Sequence, residues 1–514
     1  MSVWEKMNNA IRNGIRSYLR IEPAQTRAIT ITETFDYVSN AAKNRIWYRG
    51  DSAELSQLYD QMPGTVSERQ RFWAARSSAG QELRKIHTGL PALMVNVLTN
   101  VTIADMAISL EGGENEDIWE NIAKENRMKK LLEKAVNETL YVGDGAFKIS
   151  FDADISQYPI LEFYPGDRVG LDIRRGRIRE VIFKTTYSHG FSDYVLEEHY
   201  GFGYIRNVLT QNGSPVDLGS IPETKDMERG WEFGSEDDRY MMAVPVSFFS
   251  SPKWPGRGRS VFDSKIDSFD SLDEAWSQWM DALRAGRAHT YIPENLIPRD
   301  PTNGAVMTPN PFDNRYIRTS ADMAEGAKNE VRTEQPSIPH ESYLSTYTTA
   351  LGLCLQGIIS PSTLGIDVKK LDNAEAQREK EKTTLYTRGE IVDALQTDIP
   401  ELVRAAVMAY RDFHSMPAVK VSATVEFGDY ANPSFEATVE TISKARQGGV
   451  MSIEASVDEL HGDDKDDAWK REEVARLKAE QGVAELSEPA VNTALGDFTV
   501  DLEDDDGADD GEDR

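Results

Sequence analysis

Residues 358–377 read IISPSTLGIDVKKLDNAEAQ, and the fold turns on how this stretch is understood. An apolar end (Leu351, Leu353, Leu355, Ile358, Ile359) runs into Ser360-Pro361-Ser362-Thr363. A glycine-containing loop bearing Lys369 and Lys370 follows, and then a polar run that continues REKEKTTLYTRGEIVDAL. Asn373 is placed to N-cap a helix there, and Glu375, Glu379 and Glu381 lie near its start, where carboxylates suit the dipole. A helix polar nearly all round is not expected in a core; it is solvated, lines a cavity or packs between subunits. Two lysines on a loop between two helices suit contact with a polyanion that is touched without being read.

Outward from this stretch, 514 residues are too many for one core, so several packed subdomains are expected. The single cysteine, Cys354, excludes a disulfide framework and, in its apolar context, reads as a core residue. A net charge of −29 argues against ordinary nucleic-acid binding, which wants a basic face. It does not exclude a conduit that lets DNA slide without holding it. The opening MSVWEKMNNAIRNGIRSYLR places Val3, Met7, Ile11, Ile15 and Leu19 on one helical face, a packing helix and no secretory signal. LPALMVNVLTNVTIADMAI, from Leu90, repeats apolar residues at helical spacing but holds Asn96, Asn100 and Asp105. It reads as a buried helix rather than a membrane span.

The chain to about Tyr141 reads as mainly helical, with Trp47 to Asp51 in the connection before the helix ELSQLYDQM. From Ala146 to about Thr210 the pattern alternates, and Arg174-Arg175-Gly176 separates two runs as a hairpin turn would. Residues 201–238, rich in Gly, Pro and charge, read as a long loop or insertion. A long helix is expected from about Ser260 to Arg287. Phe262, Phe269, Trp276 and Trp279 mark its apolar stripe, while Asp263, Asp267, Asp270, Glu274 and Asp281 mark an acidic one. The acidic stripe is either a solvated face or a wall facing a channel. TYIPENLIP and NRYIRT read as strands of a small α/β knob, after which a second helix covers Glu341 to Gln356. VKVSATVEF reads as a strand returning to a sheet. Short helices follow, and then LEDDDGADDGEDR, a tail with too little apolar content to fold.

No catalytic motif is present. Gly256-Arg257-Gly258 lacks the Gly-Lys-Ser/Thr ending of a phosphate-binding loop, and neither a nucleophile elbow nor HExxH occurs. The seven histidines show no ligand spacing, and Asp463, Asp464, Asp466 and Asp467 lack the glycine and glutamate of a calcium loop. Neither an enzyme, nor a metal, nor a cofactor is expected.

The order of these elements resembles the portal protein of tailed bacteriophages, the type found in long-tailed phages of Gram-positive hosts. NRIWYRGDSAEL (44–55), STLGIDVKKLDNAEAQREKEKTTLYTR (362–388), VEFGDYANPS (425–434) and QGGVMSIEAS (447–456) carry the likeness. None of them is catalytic; the specificity lies in their combination and order. The resemblance implies an α+β fold, predominantly α, that forms a ring, usually a dodecamer, at one capsid vertex. Residues 1–259 would form the wing, β-rich from about 146. The stem would be 260–287 and 340–357, the clip 288–339 and the tunnel loop 358–372. Residues 373–431 would hold the long helix and the strand returning to the wing, 432–481 the crown, and 482–514 a disordered acidic tail. Ser360, Thr363, Lys369 and Lys370 would face double-stranded DNA without sequence specificity. The acidic stripe would line the channel, and the aromatic stripe would meet a neighbouring subunit. The implied partners are the terminase large subunit, then a head–tail adaptor, with major capsid and scaffolding proteins and no membrane. The implied location is the virion, assembled in the host bacterial cytoplasm. Two other readings stand beside it: a different ring-forming head–tail connector, and an enzyme of DNA packaging, which would need a nucleotide loop or carboxylate cluster.

Overall fold

The structure is a computed structural model that describes residues 33, 35–62, 71–76, 83–110, 113–234, 239–307, 316–320, 330–366, 374–417, 419–428, 435–461 and 465–480. The helix expected over the first twenty residues, Lys369, Lys370, Asn373 and the acidic tail lie outside them. The chain forms two compact units, Met1–Ala431 and Asn432–Arg514.

In the first unit, the first helix among the described residues is α1 (Tyr37–Arg49), capped by Asp36, which accepts from the Ser39 N–H at 2.7 Å. Trp47, Tyr48 and Arg49 are the last turn of this helix, not the connection the sequence suggested. Asn40, Ala41, Asn44 and Trp47 recur at helical spacing and are buried. The connection is Gly50 alone, left-handed at φ 68°. A Cβ there would lie 2.6 Å from the His87 ring. Asp51 then caps α2 (Ser52–Gln61) by accepting from the Ala53 and Glu54 N–H groups.

Helix α3 (Leu90–Ile103) buries Leu90, Met94, Val95 and Leu98 inside the protein. No described helix is long and apolar enough to cross a membrane. Strand β1 (Met106–Leu110), α4 (Gly113–Glu125) and α5 (Met128–Val142) follow. Then come β2 (Asp144–Ser150) and β3 (Ile160–Pro165), which join β10 (Ala243–Ser247) in an antiparallel sheet of order β10-β2-β3. A larger sheet contains β4 (Val169–Arg174), β5 (Arg177–His189), β6 (Ser192–Gly201), β7 (Tyr204–Gln211) and β8 (Ser214–Val216), with β9 (Gly230–Glu232) beside β7. The β4–β5 turn places Arg175 at φ 52° and Gly176 at φ 74°, the two-residue hairpin geometry that suits strand twist. The described part of 201–238 is thus not one long loop: it carries β7, β8 and β9. Along β7 Ile205, Asn207 and Leu209 face inward and Arg206 is exposed, in line with the alternation that runs to about Thr210.

Asp144 at the start of β2 ties three segments together. Its carboxylate accepts from Tyr37 OH (2.8 Å), the Gly258 N–H (2.7 Å) and Arg257 Nε and Nη2 (2.8 and 2.7 Å). The backbones cross so closely that a Cβ on Gly258 would lie 2.1 Å from the Gly143 carbonyl oxygen.

Helix α6 (Ile266–Ala285) starts later than expected, since 261–265 form turns. Beyond it β11 (His289–Pro293), β12 (Tyr316–Thr319) and β13 (Arg332–Glu334) make a sheet of order β12-β11-β13, in which β11 and β12 run parallel. Helix α7 (His340–Leu355) returns. Helix α8 (Ala374–Phe413) is 40 residues long. Its second half contradicts the expectation of a helix outside the core: Ile391, Leu395, Ile399, Leu402, Val403, Ala406 and Val407 are at most 1 % exposed. Strand β14 (Ala423–Phe427) returns to pair antiparallel with β1, Val425 opposite Ile108. One continuous core joins residues from Ala41 to Val425, and a small satellite of Leu196, Leu209, Leu218 and Ile221 sits under the larger sheet.

The second unit contains α9 (Phe435–Gln447), α10 (Ile453–His461) and α11 (Asp467–Glu480). Lys470 Nζ to Asp458 at 2.7 Å and Lys478 Nζ to Glu454 at 2.7 Å cross-link α10 and α11.

Candidate functional site: the helical hairpin and its loop

Helices α6 and α7 pack antiparallel through an aromatic ladder. Trp276 lies 5.5 Å from Tyr347 between ring centroids, and Trp279 stacks on Tyr343 at 6.3 Å with planes 10° apart. The root is fixed by Lys265 Nζ donating to the Leu353 carbonyl at 2.9 Å, and by Ala350, Cys354 and Leu355, which are buried. Burial pushes the Cys354 thiol up to about 12, so it behaves as a packing residue. The rest of α7 is bare. Leu344 and Leu353 are 51 % and 50 % exposed, and Leu283 on α6 is 45 % exposed. Between the leucines, Thr346, Thr348 and Thr349 donate to carbonyls one turn back at 2.8–2.9 Å, so their hydroxyl protons are already engaged.

The acidic stripe is not continuous. Asp263 lies before the helix and is clasped by Asn40 Nδ2 (2.8 Å) and Asn44 Nδ2 (3.0 Å). Asp270 is 6 % exposed and accepts from the Phe72 and Trp73 N–H groups at 2.8 and 3.3 Å. These two are structural carboxylates that face the protein, which corrects their assignment to a channel wall. Asp267, paired with Arg71 at 2.8 Å, remains exposed, as does Asp281, and Glu274 is half-buried. Beside them the fully buried Asp273 accepts from Trp73 Nε1 (3.1 Å) and from Thr88 N–H (2.9 Å) and Oγ1 (3.0 Å), with His87 Nδ1 at 2.7 Å. Sequence reasoning missed it, although its place in a heavily apolar helix stretch was a signal.

The aromatic stripe is corrected too. Phe262 and Phe269 are 0 % and 1 % exposed within this chain, meeting edge-to-face at 5.6 Å, so neither is free to touch a neighbour. Trp276 and Trp279 are half-buried and spent largely on α7.

The loop after α7 is held tightly where it leaves the helix. Ile358, Ile359 and Ser360 are buried, and the Ser360 N–H donates to Thr384 Oγ1 at 2.8 Å. Thr363 Oγ1 lies 2.8 Å from the same hydroxyl, and Thr387 Oγ1 donates to the Ile358 carbonyl at 2.7 Å. Arg388 Nε and Nη2 bind the Val101 and Gly428 carbonyls at 3.1 and 2.6 Å, fixing α8 to α3 and to the end of β14. Ser360 is therefore a buried anchor and not a DNA-facing residue, and Thr363 belongs to the same clamp. Lys369 and Lys370 lie beyond the described part. Sequence spacing did not assign roles to Thr384, Thr387 and Arg388 because their partners, the Ser360 N–H, the Thr363 hydroxyl and the Ile358, Val101 and Gly428 carbonyls, lie in other segments. Among the described residues no group of three or more His, Cys, Asp or Glu could hold a metal ion.

No protein-family model matches the sequence, and no curated protein matches it. Solved structures are similar at a distance. The virion of a native gene transfer agent particle includes a chain 12% identical, with TM-score 0.38, the likeness covering 70% of this chain and 85% of that one. The neck of the native gene transfer agent particle, computed with C12 symmetry, gives 12% identity and TM-score 0.37 over 76% and 90%. An HK97-family phage portal protein from Corynebacterium diphtheriae gives 8% and 0.28 over 65% and 90%. The chain is distantly similar to an HK97-family phage portal protein and to chains of gene transfer agent particles.

Proposed function

We propose that this chain is a portal subunit: a ring former whose central channel passes double-stranded DNA into and out of a capsid, and which docks first a terminase and then a head–tail adaptor. The observation that carries the reading is the α6–α7 hairpin. It is anchored at its root, tipped by a small sheet, and bare along the rest of α7. Exposed Leu283, Leu344 and Leu353 would be covered if one subunit's hairpin meets a different face of the next, the heterologous contact that closes a ring. Each leucine buried that way contributes about 1–2 kcal/mol.

The electrostatics fit a conduit. With −29 on the chain, phosphates are repelled nearly everywhere, and Asp267, Glu274 and Asp281 keep that sign on α6. Hydroxyls already engaged by backbone carbonyls on α7 offer a passing strand little to hold. In the same reading, Lys369 and Lys370 touch the backbone at the end of a loop whose base the Thr384–Thr387 clamp holds rigid. Replacing both with glutamate reverses two charges per subunit within a Debye length, about 8–10 Å, of the DNA. The double variant should form normal rings and proheads but yield mostly empty particles. Full heads at wild-type yield would contradict the loop's role, and failed assembly would place the lysines in a subunit contact.

A further inference from the structure

In a chain with 86 acidic against 57 basic residues, a surface where cations stand together is unexpected. One runs along α5 and the turns beside it. Lys124, Arg127, Lys129, Lys130, Lys134 and Arg168 are all exposed. Arg127, Lys130 and Lys134 fall three and four apart, on one helix face. Three open grooves follow this face and share residues: Lys124, Arg127, Lys129 and Lys130 line the first, Lys130 and Lys134 the second, Lys134 and Arg168 the third.

The carboxylates nearby offset this charge only in part, exposed Glu125 between Lys124 and Arg127 among them. Asp167 is held by both Arg45 Nη atoms at 2.9 Å. Glu138 keeps a buried Oε2 with no hydrogen-bond partner, and burial pushes its carboxyl upward. Glu133 and Glu162 are half-buried along the grooves and remain as opposing charges. The middle groove adds amides, Asn96, Asn100 and Asn137, and the Tyr48 hydroxyl.

We propose that this α5 surface, apart from the hairpin, binds the phosphate backbone of double-stranded nucleic acid. Lysines are compact point charges that take phosphates without demanding a fixed geometry, and amides and phenols are the usual additional donors to backbone oxygens. Arg127 to Lys134 spans about 10 Å, comparable to about three base-pair steps of rise along the duplex axis at about 3.4 Å each. A protein partner would want an aromatic anchor, but Tyr48 and Tyr141 stack on each other at 4.4 Å.

The test uses the full-length protein and a labelled 20-bp duplex, with binding followed by anisotropy between 50 and 200 mM salt. For about five phosphate contacts, affinity should fall roughly 500-fold over that range. Lys130→Glu with Lys134→Glu should weaken binding at 50 mM at least tenfold and reduce the log–log salt slope by about two. An equal charge change elsewhere, Lys225→Glu with Arg229→Glu, should do much less. In the wild type, duplex should protect Lys129, Lys130 and Lys134 from acylation, a readout that needs no variant to fold. The proposal is overturned by absent binding at 50 mM, by an unchanged slope in the double variant, or by protection confined to Lys369 and Lys370. Protection of the α5 lysines by polyglutamate but not by duplex would overturn it in favour of an acidic protein.

Discussion

Asp270 and Asp273 stand one turn apart on α6 and both point into the protein, where they hold residues 72–73 and 87–88 against the helix. Burial pushes the Asp270 carboxyl up to about 6, against the pull of two backbone N–H donors and Arg71. Its ordinary value is 3.8, so between the two values the folded chain binds a proton that the unfolded chain has released. The resulting stabilisation is fully present below about pH 4 and is lost as pH rises through about 6. Asp270→Asn removes that dependence. Urea unfolding should show wild type losing roughly 1–2 kcal/mol relative to the variant between pH 5 and pH 7.5; parallel pH profiles would contradict the assignment. The sequence could not show this residue's role. Its spacing from Asp267 and Glu274 places it in an acidic series, whereas the N–H groups it serves lie 198 and 197 positions away.

Among the elements, those with strong local periodicity were legible and those defined by distant partners were not. Helices α6 and α7, the β4–β5 turn and the β14 return announce themselves through spacing and turn chemistry. The buried half of α8 did not: the polar start of the same helix, through Glu390, set the reading, while Ile391, Leu395, Ile399, Leu402, Val403 and Val407 go into the core. The outward face of the hairpin was also misplaced. Trp276→Asp would break contacts with Tyr347 inside one subunit, so it reports on the hairpin before any ring. Leu344→Asp with Leu353→Asp is the discriminating pair. Both side chains are half-exposed, so the monomer should keep its melting temperature within about 2 °C while sedimentation shifts from ring to monomer. An unchanged ring would leave α7 facing solvent or the channel.

Across the whole molecule, charge and order of elements were the informative properties. A net −29 with no catalytic motif suits a surface that anions slide past, and a helix, small sheet and helix placed between two parts of one core suit a hairpin that reaches outward from its root. The acidic 501–514 segment contributes to that charge, and its sequence holds too little apolar content to fold. Its deletion should leave assembly and thermal stability unchanged within measurement, checked by sedimentation and calorimetry. A loss of assembly on deletion would make the segment an interface element.

The central claim is that copies of this chain close into a ring around a hole wide enough for duplex DNA. Class-averaged electron microscopy of the purified full-length protein tests it most directly. The account predicts closed rings with a stain-filled centre, in one predominant subunit number, usually twelve in the proteins it resembles. Solid particles, open filaments, or monomers persisting at micromolar concentration would contradict it.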